Sequence, residues 1–198
     1  MASRSPCAMC SPPSAYRSPP RSSCWRSEHR VALPGGSRAS QTDLFALARS
    51  GPHLISIAVE GKVAEEFDAT VGDWLDRRAA EQSKRGRPHE PSAHARKRLA
   101  FLRKLLQLDE ADILDLRYQL LHRTAAAVLE AQRFAAHYAL MLVHSFSASD
   151  AWLADYQAFT QRMGAPSADA DLIVAVGKRG GIPLYLGWIR GEERYARA

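Results

Sequence analysis

The chain has 198 residues, 46% of them apolar, which is enough for one folded domain with a real core and too much for a chain disordered throughout. No run of 18 apolar residues is present, which excludes a membrane-spanning helix, and no charged start followed by an apolar stretch marks a secretory signal. The net charge is +6, but residues 1–40 hold six arginines against Glu28 alone, so the remainder is close to neutral and bulk charge by itself does not point to nucleic acid.

Residues 1–27 contain eight Ser, five Pro and four Arg. Proline at that density removes donors and fixes φ too often for a helix, so residues 1–30 are expected to form a disordered tail. All three cysteines, Cys7, Cys10 and Cys24, lie in this stretch. A disulfide scaffold is thereby excluded, and a reducing, cytoplasmic setting is expected. With His29, the cysteines offer four zinc-type ligands. The pattern reads better as a chance outcome of biased composition, because nothing apolar is at hand to pack around an ion.

Order is expected from Val31 to Arg190, with residues 191–198 as a C-terminal tail. Pro34–Ser37 reads as a turn. Asp43–Arg49 and Leu54–Lys62 read as strands joined at Ser50-Gly51-Pro52-His53, a hairpin. Both faces of these strands are largely apolar, which predicts a sheet covered by helices on both sides. Thr70 is placed to cap a helix to Gln82, Ser92 or Ala93 to open a second to Leu106, and a third follows from Asp109–Ile113 onward to Arg133. Tyr138–Phe146 is apolar almost throughout and reads as a strand. A helix from Asp150 to Met163, capped by Ser147 or Ser149, follows. Leu172–Val176 and Leu184–Ile189 close the chain as a second hairpin around Lys178–Gly181. The order β-β-α-α-α-β-α-β-β predicts an α/β fold with a mixed central sheet flanked by helices.

Charged residues interrupt the first hairpin. If the turn is symmetric about Gly51 and Pro52, paired positions sum to 103 and Asp43 faces Glu60. Lys62 then shares the face of Glu60, because side chains alternate with period two. Opposed like charges cost up to about 1 kcal/mol in a strand pair. A divalent cation between them would offset that, since hard cations seek carboxylate oxygens. Mg²⁺ or Mn²⁺ is the expected cofactor if the site is active.

Asp43 with Glu60-Gly61-Lys62 resembles the site of the PD-(D/E)XK nuclease-like superfamily, and Val31–Arg190 is similar to an uncharacterised bacterial domain family assigned to it. The resemblance implies a restriction-endonuclease-like fold. It implies Asp43 and Glu60 as metal ligands, Lys62 as the residue that positions or activates water, and Gln119, on the helix after the hairpin, as a further polar group at the site. Arg123 lies one turn beyond Gln119. The implied activity is metal-dependent hydrolysis of a nucleic acid phosphodiester, DNA or RNA. The alternative is a catalytically degenerate module of the same fold. Thr42 replaces the motif's proline, and residues 1–30 supply no first helix.

Eight basic residues lie between Lys84 and Lys104. Arg85, Arg87, Arg96 and Lys97 among them, with Arg123, are the candidates for phosphate contacts; the bland reading is a solvated helix face. His122, His137 and His144 are candidates for general acids or ligands; His144, in a buried strand, reads better as a core residue, and His122, three residues from Gln119, is placed to approach the site. Trp74, Trp152 and Trp188 read as core anchors. No phosphate-binding Gly-rich loop ending in Lys-Ser/Thr and no Gly-x-Ser-x-Gly elbow occurs.

Overall fold

The computed structural model describes residues 24–63, 65–109, 113–147, 149–165 and 168–192. Six strands and four helices are laid out along them: β1 (Cys24–Val31), β2 (Ser40–Ser50), β3 (His53–Lys62), α1 (Val71–Ser83), α2 (Ala93–Leu106), α3 (Tyr118–Arg133), β4 (Tyr138–Ser145), α4 (Leu153–Arg162), β5 (Leu172–Arg179) and β6 (Ile182–Arg190). The strands form one mixed sheet in the order β1-β2-β3-β4-β6-β5. β1, β2 and β3 are an antiparallel meander, β4 runs parallel to both β3 and β6, and β5 is antiparallel to β6. The α/β class and the mixed sheet are as the sequence implies.

The expected tail does not extend to residue 30. Cys24–Arg30 are strand residues, and all of them but Glu28 pair with β2, so Ser, Arg and His at these positions are carried by the ladder rather than by apolar pattern. Residues 1–23 and 193–198 lie outside the described residues, and with them Cys7 and Cys10.

Local signals set most boundaries. The Thr70 and Ser92 side chains accept from the N–H groups of Asp73 and Ala95, the capping bonds that open α1 and α2. Gly180 and Gly181 take φ of +56° and +85°, the left-handed pair a two-residue hairpin needs, so β5 and β6 continue to Arg179 and Ile182 instead of stopping short of the turn. α4 begins three residues later than expected. Asp150 and Trp152 have positive φ, and Asp150 is bonded to Arg190, which holds the chain out of helix until Leu153.

The sheet's two faces differ in what covers them. Ser56, Ala58 and Glu60 of β3, Met141 and Val143 of β4, and Leu186 and Trp188 of β6 are buried and share one side by register. α3 lies directly on that side, its backbone close enough for Ser56 Oγ to donate to Ala127 O at 3.2 Å. Ala125, Ala126 and Ala127 are all buried, and their small side chains permit the approach. α1 and α2 pack outside α3, Trp74 stacking on Tyr118 at 4.3 Å. α4 joins the same side through Tyr156 and Trp188, both fully buried. The alternate residues, among them Ile55, Ile57, Val59, Leu140 and Leu142, belong to no helix-covered core. The fold is therefore two-layered among the described residues, and the expected covering on both sides is found on one. Apolar alternate positions misled the reading, because they signal an apolar face without saying what packs on it.

Candidate functional site

The β2–β3 register is the expected one. Ser50 faces His53 and Leu44 faces Val59. The ladder ends there, one pair before Asp43 and Glu60. In β2 the buried positions Ser40, Thr42 and Phe45 are spaced two and then three, so the alternation slips around Asp43. On the other side of β2, Glu28 takes φ of +50° between the pairs Ser27–Leu44 and His29–Thr42. Glu28 and Asp43 are thus the positions the β1–β2 ladder skips without a change of register, and the burial pattern of β2 changes phase at the same point. Asp43 is exposed, and its Oδ2 accepts from Gly61 N–H at 2.8 Å.

Glu60 is 4% exposed and points toward α3. Its Oε2 accepts from Arg123 Nε at 2.6 Å and its Oε1 from Gln119 Nε2 at 2.5 Å. Lys62 Nζ stands 3.4 Å from Oε1 and 5.0 Å over the ring of Phe67. The structure therefore brings together Glu60, Lys62, Gln119 and Arg123, with Asp43 at the neighbouring strand end. Burial pushes the Glu60 carboxyl above its ordinary value. Arg123 works against that shift and Asp43 adds to it. The positive charge that two crowded acids require is supplied by Arg123 and Lys62. Gln119 Oε1 is buried without a hydrogen-bond partner among the described residues.

Behind this cluster, Ser40 Oγ lies 2.9 Å from His122 Nδ1 and accepts from Arg123 Nη1 at 3.3 Å. His122 is held well below its usual value by burial first, with Arg123 and Arg98 adding repulsion, so it stands as a neutral imidazole. His137 Nδ1 accepts from Leu54 N–H, a strand-end role, and His144 packs on Phe146 at 4.3 Å. His29 is bonded to Glu130 at 3.0 Å and stacked on Phe45, occupied by the fold. Among the described residues no group of three or more His, Cys, Asp or Glu side chains is arranged to hold a metal ion.

The remaining basic candidates lie elsewhere. Arg87 donates to Gln82 Oε1, Arg96 pairs with Glu90, and Lys97 is exposed on α2. Arg85 is on the α1–α2 loop. Arg123 is not with them, since its guanidinium is engaged by Glu60 and Ser40.

Sequence reasoning did not single out Arg38, Arg78 and Arg98 as a group. They converge with Arg85 on one cavity beside α1 and α2. The available signal was Gly35-Gly36 ahead of Arg38. A Cβ at Gly35 would fall 2.5 Å from Arg98 N and against His94 O, and its φ is +84°. Only glycine lets that loop lie on α2.

The electrostatics do not suit a resident divalent ion in this arrangement. The donors are hard carboxylates, but two acids meet two cations, and both oxygens of Glu60 are already bonded. No curated protein and no solved structure matches this chain. One family model does, over residues 23–193, from the first strand of the sheet to just past the last: the chain belongs to the family described as a domain of unknown function, DUF6946.

Proposed function

We propose that this chain is a PD-(D/E)XK-like domain that binds nucleic acid through phosphate contacts and does not hydrolyse it. The observation that carries the reading is the saturation of Glu60. Arg123 at 2.6 Å and Gln119 at 2.5 Å occupy the carboxylate that a catalytic ion would need, and Lys62 completes its neutralisation. Breaking a buried pair of this kind costs about 3–5 kcal/mol, which an incoming ion would have to repay. The exposed arginines and lysine of the α1–α2 loop and α2 (Arg85, Arg87, Arg96 and Lys97) supply the cations for a phosphate backbone.

A second reading, metal-dependent hydrolysis, is favoured by two details. Asp43 stands beside Gly61 with its carboxylate exposed, and the buried Gln119 Oε1 has no donor. It requires Arg123 to release Glu60.

Fluorescence anisotropy with labelled DNA and RNA oligonucleotides, followed by a cleavage assay in Mg²⁺ and Mn²⁺, separates the two. The proposal expects binding that weakens steeply with salt and no cleavage. Cleavage by the wild type that is lost in both Glu60→Gln and Lys62→Ala replaces it with the second reading. Absence of binding to either nucleic acid overturns both.

A further inference from the structure

The loop ahead of β2 and the helices α1 and α2 line a half-open cavity of about 380 Å³. A smaller one of about 150 Å³ continues from it to Ser40 and His122, sharing Arg38, Trp74, Arg78 and Arg98. The larger one shares no residue with the Glu60 cluster; the smaller, which also has Asp68 in its wall, ends at Ser40, where Arg123 of that cluster donates from behind. The walls of the larger cavity carry four arginines, Arg38, Arg78, Arg85 and Arg98, against one acid, Glu81.

The arginines are not equivalent. Arg78 is paired with Glu81 at 2.9 Å and lies over Trp74 at 5.4 Å. Arg98 is 8% exposed, yet the acceptors it reaches among the described residues are neutral: Nε donates to Pro34 O at 3.2 Å, Nη2 to Leu33 O at 3.2 Å and Gly36 O at 3.3 Å, and the guanidinium also bonds the Tyr118 hydroxyl. These bonds fix its orientation and leave its charge uncompensated. The side chains of Arg38 and Arg85 have no hydrogen-bond or ion-pair partner among the described residues. A buried cation without a counterion is unfavourable, and here two more cations face the same space. An anion is what the walls lack.

The chemistry narrows the anion. Guanidinium groups present planar forks of donors that match phosphoryl oxygens, and several around one cavity suit a group with more than one negative charge. A stacked base is not accommodated on Trp74, since Tyr118 covers one face at 4.3 Å and Arg78 another approach. The site reads charge and not a base. α2 also begins at this wall, with no acid in its first turn.

We propose that this cavity binds a phosphoryl dianion, a phosphomonoester or diphosphate group, with Arg98 as the fixed contact and Arg38 and Arg85 closing on it. The proposal is independent of whether the Glu60 cluster is catalytic.

Isothermal titration of the full chain with inorganic pyrophosphate at 50 and 150 mM NaCl tests it. Saturable binding is expected at both salt concentrations. Arg38→Ala and Arg85→Ala should each weaken it at least fivefold, while Lys178→Ala, exposed on the β5–β6 hairpin, changes it less than twofold. Arg38 and Arg85 make no side-chain bonds among the described residues, so both variants are expected to keep the wild-type melting temperature. No binding, or equal weakening by Lys178→Ala, overturns the site in favour of diffuse surface charge. A competition arm identifies the source of the phosphoryl group. Displacement of pyrophosphate by a 5′-phosphorylated oligonucleotide but not by its 5′-hydroxyl counterpart assigns the site to a strand end. Displacement by neither assigns it to a free phosphorylated metabolite. Displacement by both strands alike overturns the site, because the cavity would then be part of a backbone-binding surface. That last result would leave nucleic acid binding intact, so the two proposals fail separately.

Discussion

Glu60 and Arg123 illustrate how a charged pair can stand inside this protein. Each is nearly buried, at 5% and 11% side-chain exposure, and each is costly without the other. Arg123→Met should destabilise the protein by about 3 kcal/mol, read from urea midpoints. Combining it with Glu60→Gln should recover a large part of that loss, and a double-mutant cycle measures the coupling. His122 gives the pH response. It is neutral when folded and takes a proton near pH 6.5 when unfolded, so the unfolded state binds more protons as pH falls below that value. Its contribution to stability is present above pH 6.5 and is lost on acidification, by at most about 1.4 kcal/mol per pH unit for one proton. His122→Gln should flatten the dependence of the urea midpoint between pH 7 and 5. At this scale the sequence was only partly legible. The register of the hairpin followed from turn symmetry, and Glu60, Lys62 and Gln119 do gather. The change of burial phase at Asp43 did not follow, because it falls opposite Glu28, in a neighbouring strand that composition had marked as tail.

Loop and helix fit governs the next scale. Gly35 and Gly51 both have positive φ, but their surroundings differ. A side chain at Gly35 runs into the backbone of α2, whereas nothing lies within 4 Å of a Cβ at Gly51. Gly51→Ala is expected to cost about 1 kcal/mol, the left-handed strain alone. Gly35→Ala should cost more than twice that and loosen the carbonyl cage around Arg98, checked by thermal melts and by pyrophosphate titration of the folded variant. Helix starts were legible from Thr70 and Ser92, whose hydroxyls cap as short-range chemistry dictates. The start of α4 was not, since Arg190, forty residues away, decides it by holding Asp150.

Across the whole molecule, one-sided covering makes a sharp forecast. Met141 and Leu142 are adjacent in β4 and similar in size, yet Met141 is fully buried under the helices and Leu142 lies on the opposite face. Met141→Ala should cost about 2–5 kcal/mol, as core truncations do, and Leu142→Ala about 1 kcal/mol, measured by chemical denaturation. The class, the mixed sheet and the order of elements after β1 could be read from alternating strand and helix patterns, whereas β1 itself was hidden in a stretch whose composition reads as tail. The layering could not, because covering is a property of neighbours distant in sequence.

The two-layer arrangement also bears on how β3 and β4 find their alignment. Where both sides of a strand are oily, sliding by one residue exchanges one greasy surface for another, and hydrophobicity alone discriminates weakly. What a slipped ribbon cannot tolerate is its few polar markers. Ser56 would lose Ala127 O, and Glu60 would carry its charge out from between Gln119 and Arg123. The acid cluster thus serves as an alignment peg for the central strands, whatever chemistry it performs.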